Sequence, residues 1–75
     1  MNRTEVEGRI FSALEVATNK DEARAFIVEA ISGETFQNLQ IHWDCSGYRC
    51  ADLRWFDTNG MKQELIVDVD KVENN

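Results

Sequence analysis

The sequence has no proline, no low-complexity run and no internal repeat, so nothing in it marks a linker, a biased tail or a solenoid. It also lacks any apolar run long enough to span a bilayer. The opening stretch "MNRTEVEGRIF" is acidic and amphipathic rather than apolar, and it reads as lacking a signal peptide. A cytoplasmic, non-membrane protein is therefore the expected setting. Cysteine is scarce: two residues in a chain without an export signal read as thiols, not as a disulfide framework.

Basic charge is also short. Fourteen acidic residues against eight basic ones leave a net charge of −6. Affinity for a phosphate backbone comes from clustered Lys and Arg, so direct nucleic-acid binding is not expected. A basic or mixed protein surface would be attracted instead. What the chain does have is an apolar share of 43% with two Trp and four Phe, too rich for a disordered acidic tail. Seventy-five residues make one domain, near the size at which a single core just suffices.

The hydrophobic period divides the chain in two. Thr4 with Glu7 forms a capping-box signature, and Val6, Ile10, Leu14 and Ala17 recur at helical spacing. Asn19 with Glu22 opens a second stripe of Ala23, Phe26, Ile27, Ala30 and Ile31, stopped at Gly33. On one straight rod the two stripes would point roughly 145° apart. A break at Thr18–Asn19 brings both to one core, giving helices over about 4 to 17 and about 20 to 32.

From Thr35 onward the period is two, with Leu39, Ile41 and Trp43, then Ala51, Leu53 and Trp55, then Leu65, Val67 and Val69. Strands are expected over about 35 to 43, 48 to 57 and 61 to 70. The intervening "DCSG" and "DTNG" each suit a type I turn closed by a left-handed Gly bulge, Gly47 and Gly60. That geometry sets Asp44 opposite Tyr48 and Asp57 opposite Met61, with apolar rows Leu39–Leu53–Leu65 and Ile41–Ala51–Val67. A tight Asn59–Gly60 turn would instead place Arg54 beside Leu65, so the bulged corners are preferred. The expected fold is α+β: two N-terminal helices packed on one face of a three-stranded antiparallel meander, in the order ααβββ.

"HWDCSGYRC" holds the single histidine and both cysteines, and it looks most like chemistry. With Cys45 at a turn tip and Cys50 inside the next strand, their Cα atoms stand about 10 Å apart, beyond the ~7 Å a disulfide tolerates. His42, Cys50 and Asp68 form a cross-strand row of zinc-compatible atoms, yet a flat row does not converge on one ion. Cys50 in the middle of that row prevents Asp68 from orienting His42 as a catalytic base. The "DTNG" stretch fails as a calcium loop, since Trp55 and Ile66 stand where acids are needed. No catalytic constellation and no cofactor are expected.

The face left uncovered by the helices carries the functional expectation. It gathers Phe36, His42, Tyr48, Arg54, Phe56 and Ile66, with Asp68 and Asp70 at one end. Aromatic residues and Arg are enriched in interface hot spots. These eight residues are the expected partner-binding set of a non-enzymatic, acidic module that inhibits or modulates a larger protein. Small acidic proteins of this kind are common among phage and mobile-element inhibitors of nucleic-acid-binding enzymes, the anti-CRISPR class included. Two alternatives stand beside it: a homo-oligomeric structural or accessory protein, paired by its sheet face or by strand addition along residues 35 to 43, and a small metal-binding protein using His42, Cys50 and Asp68.

Overall fold

The computed structural model describes residues 2–32, 36–43 and 47–70. Asn2 starts the first helix, α1 (Arg3–Val16). Its side-chain oxygen accepts the Glu5 backbone N–H at 2.8 Å, and the Glu5 carboxylate accepts the Asn2 N–H at 3.1 Å. The capping box is therefore Asn2/Glu5 rather than the expected Thr4/Glu7. Two overlapping frames carry the same signature, and Asn is the stronger cap.

Asn19 opens the second helix, α2 (Lys20–Ala30), as the sequence suggests. Its side chain accepts the Glu22 N–H at 2.8 Å. Glu22 in turn accepts the Thr18 N–H at 2.9 Å and the Thr18 hydroxyl at 2.8 Å. These bonds, the hydroxyl's first, hold the Glu22 carboxyl below the usual range. The interhelical break is thus closed by polar contacts without Gly or Pro. The expected stop at Gly33 lies outside the described residues.

Three strands follow, β1 (Gln37–Trp43), β2 (Cys50–Phe56) and β3 (Lys62–Asp68), antiparallel and in chain order across the sheet. The chain is α+β, in the order two helices then three strands. Val6, Ile10 and Leu14 of α1 join Ala23 and Ile27 of α2 against Ile41, Ala51, Leu53, Trp55, Leu65 and Val67 in one core. The Arg3 guanidinium donates to the Glu64 carbonyl, tying the start of α1 to β3. Among the described residues no helix is long and apolar enough to cross a membrane.

The β2–β3 register is the expected one, with Leu53 opposite Leu65, Ala51 opposite Val67 and Arg54 opposite Glu64. Its corner carries the reason. Asp57 N–H donates to the Met61 carbonyl, Gly60 N–H donates to the Asp57 carbonyl, both at 2.9 Å, and Gly60 takes φ +78°. The Asp57 carboxylate accepts the Asn59 and Met61 N–H groups, each at 2.9 Å, and the Gln63 amide at 3.0 Å.

The β1–β2 register differs. Ile41 lies opposite Leu53, His42 opposite Asp52 and Trp43 opposite Ala51, two residues away from the expected pairing. The expected Asp44–Tyr48 closure is not the one used, since the ladder ends at Trp43 and Ala51, and Gly47 does not adopt a left-handed conformation. Asp44, Cys45 and Ser46 lie outside the described residues. A shift of two preserves which face each side chain takes, so the core composition survives.

A second irregularity does exchange faces. Between Gln37 and Gln40 the pairing slips at a bulge, where Asn38 stands at φ 56°. One extra residue reverses the alternation upstream. Phe36, expected on the uncovered face, turns to the core and meets Trp55 edge-on, with ring centroids 4.8 Å apart at 86°.

Two glycines test this description in opposite directions. Gly8 sits inside α1 with open space where a Cβ would stand, so Gly8→Ala is expected to stabilise the protein by about 0.5–1 kcal/mol. Gly60→Ala forces a side chain into the left-handed region and is expected to cost about 1–2 kcal/mol. Urea unfolding of the two variants against the parent checks both signs.

Candidate interaction face

Alternation along β2 sends Cys50, Asp52, Arg54 and Phe56 to the side opposite the helices. The observed pairs build rows on that side: Gln37–Phe56–Lys62, Gln40–Arg54–Glu64 and His42–Asp52–Ile66, with Cys50 opposite Asp68. His42 is therefore a neighbour of Asp52, not of Cys50, and the expected His42–Cys50–Asp68 row is not formed. Among the described residues no group of three or more His, Cys, Asp or Glu is placed to hold a metal ion. The Cys45–Cys50 question lies outside the described residues, because Cys45 does.

The centre of this face is an acid that hardly meets water. Asp52 is 2% exposed. Arg54 folds back along its own strand, and its Nη2 donates to Asp52 Oδ2 at 2.9 Å, while its Nε donates to Glu64 Oε2 at 3.3 Å. The first of these bonds, with the charge of Asp52, raises the Arg54 pKa. Asp52 Oδ1 is buried with no hydrogen-bond partner. An unsatisfied buried carboxylate oxygen is costly, so the one paired oxygen carries the compensation for the whole group.

Around this centre the surface is mixed. Ile66, across from Asp52 on β3, is 51% exposed, which makes it one of four large apolar residues so open among the described residues. His42 is exposed, and its Nε2 lies 3.2 Å from Gln40 Oε1. Phe56 is half-buried. A shallow hollow beside it is lined by Gln40, Arg54, Phe56 and Lys62. At the far end Asp68 accepts the Asp70 N–H at 2.9 Å, and Asp70 pairs with Arg49 at 3.0 Å.

Of the eight residues assigned to this surface from the sequence, the structure brings His42, Arg54, Phe56 and Ile66 together, with Asp68 beyond and Asp70 after the strand. Phe36 and Tyr48 depart. Phe36 meets Trp55 edge-on for the reason given above, and Tyr48, ahead of β2, packs against the core cluster. Asp52, Gln40 and Glu64 belong to the surface and were not singled out. Their alternation puts them there; the burial of Asp52 has no sequence signal, because it depends on how Arg54 folds.

Removing Arg54 should therefore hurt more than removing its exposed partner. Arg54→Met is expected to lower the urea midpoint further than Glu64→Gln, and Asp52→Leu added to Arg54→Met should restore part of the loss. Equal midpoints for the two single variants would contradict the role given to Asp52.

The turn below this face supplies a pH test. The Met61 N–H, followed by those of Asn59 and the Gln63 amide, holds the Asp57 carboxyl below its ordinary value of 3.8, against a smaller opposing effect of burial. A carboxyl depressed in the folded state contributes stability above its unfolded value, and that contribution is lost as pH falls through the folded one. Unfolding midpoints measured from neutral pH into the acid range should fall less steeply for Asp57→Asn than for the parent.

Compared with known proteins, the chain matches no family model, no curated protein and no solved structure.

Proposed function

We propose that this chain is a non-enzymatic binding module that docks its uncovered sheet face on a larger protein and inhibits or modulates it. The observation that carries the reading is Ile66, half-exposed at the middle of a face where its immediate neighbours, Asp52, Arg54, Glu64 and Asp68, are charged. An apolar anchor ringed by polar groups that exclude water is how interface hot spots are organised. Asp52 lies directly across from it and Arg54 diagonally, Phe56 stands two rows further along the same face, and Glu64 and Asp68 stand at i−2 and i+2 on its own strand.

The charge selects the partner. A net charge of −6 favours a basic or mixed protein surface and disfavours a nucleic acid as direct ligand. A partner whose basic site serves a nucleic acid fits this chemistry, an arrangement that some phage and mobile-element inhibitors use. In this reading the protein works in the cytoplasm, without cofactor or metal.

The proposal is tested by capturing the partner from host extract and measuring its binding to purified variants. Ile66→Ser removes the anchor and is expected to weaken binding at least tenfold, about 1.4 kcal/mol. Asp68→Lys is expected to slow association and flatten its dependence on salt. Parent-like affinity for Ile66→Ser would end the assignment of this face, and a self-associating species held together by Ile66 would replace it with a homo-oligomer.

A further inference from the structure

The sheet has two edges, and they are unlike. β1 is bent where its pairing with β2 slips between Gln37 and Gln40, and Asn38 stands there at φ 56°. β3 pairs with β2 without interruption from Lys62 to Asp68. It is the regular edge, and a regular edge is the one that accepts a further strand.

The hydrogen bonds at the two ends of β3 fix which backbone groups face outward. Asp57 N–H donates to the Met61 carbonyl, and Val69 N–H donates to the Arg49 carbonyl, so Met61 and Val69 aim at β2. In an antiparallel ladder that role alternates along the strand. Gln63, Leu65 and Val67 therefore share it, whereas Lys62, Glu64, Ile66 and Asp68 turn their N–H and C=O groups to the open side. The Arg3 guanidinium takes up one of these outward groups, the Glu64 carbonyl.

The side chains along this edge select their own complement. An antiparallel pair of copies centred on Ile66 would set Glu64 of one against Asp68 of the other. Centred on Glu64, it would set that acid against itself. Centred on Leu65, it opposes Lys62 to Asp68 at both ends and Glu64 to Ile66 between them, with no like charges facing. A parallel pair in register would oppose every charge to its own kind. Lys62 is exposed and Asp68 half-buried, so both are placed to meet across the junction.

We propose that β3 is a self-association edge, and that its occupant is β3 of a second copy, antiparallel and centred on Leu65. The pairing is isologous and closes on itself, because it consumes both regular edges and leaves only the bent β1 edges free. The helices of both copies then lie on one side of a continuous sheet, and both Ile66 side chains lie on the other. It neither uses nor needs the face assigned above to a partner.

The full chain alone, followed by sedimentation, is expected to form a reversible dimer as it is concentrated into the millimolar range. Lys62→Glu brings like charges together at both ends of the junction and is expected to weaken the dimer at least about tenfold. Asp68→Lys should do the same, and the two substitutions together should restore association like the parent's, with melting temperatures recorded for each to exclude loss of fold. Ile66→Thr keeps a branched side chain on the strand and should dimerise as the parent does, which separates edge pairing from stacking of the sheet faces. In a mixture of carbon-13-labelled and unlabelled copies, the Gln63 Hα of one copy should lie near the Val67 Hα of the other. The proposal is overturned by a monomer at every concentration, by a folded double exchange that fails to dimerise, or by loss of the dimer in Ile66→Thr. Intermolecular contacts in any other register would overturn it as well.

Discussion

Leu53 is the point at which the two layers of this protein are joined. Fully buried on the middle strand, it stands between Ile41 and Leu65 in the sheet and belongs to the same cluster as Ile10, Leu14 and Ile27 of the helices. A chain of this length has little surplus core, so its stability rests on such side chains touching both layers at once. Every surface feature follows from this arrangement. With Leu53 directed to the helices, Asp52 and Arg54 must point the other way, and the helices must turn their remaining faces outward.

What could be read from the residues separates along physical lines. Hydrophobic period sets the element types and the inner face, because only one phase of each stripe buries its apolar members. The β2–β3 register was legible since the Asp57–Gly60 corner encodes its own geometry in five residues. The β1–β2 register was not, because Leu39, Ile41 and Trp43 are equally apolar and a slip of two costs the pattern nothing. The bulge at Asn38 was invisible for a similar reason: no residue type there demands it, and its effect, the turning of Phe36, appears only once the strands are aligned. The cap at Asn2 was missed because an equivalent frame begins at Thr4.

The candidate face shows the same division. Alternation correctly groups His42, Arg54, Phe56 and Ile66, yet says nothing of how their side chains fold over one another. Arg54 could have extended into solvent; instead it lies back on Asp52, and a surface position becomes an interior one. This face therefore contains at its centre an ion pair in which Asp52 is buried and Arg54 half-exposed, an anchor beside it and charged groups at its margin. The cleft between the helices is lined instead by small and apolar residues together with Glu5, Arg9 and Glu29. One chain thus offers two surfaces of unlike chemistry.

The kink at Asn38 has a consequence for how the molecule meets its own kind. The β1 edge of the sheet would otherwise present a straight row of unpaired amides and carbonyls, a template on which another chain could lay itself and start a fibre. A residue in the left-handed region bends that row out of plane and breaks its repeat. Growth by strand addition along Gln37–Trp43 is thereby discouraged, so at this edge composition rather than backbone decides the partner.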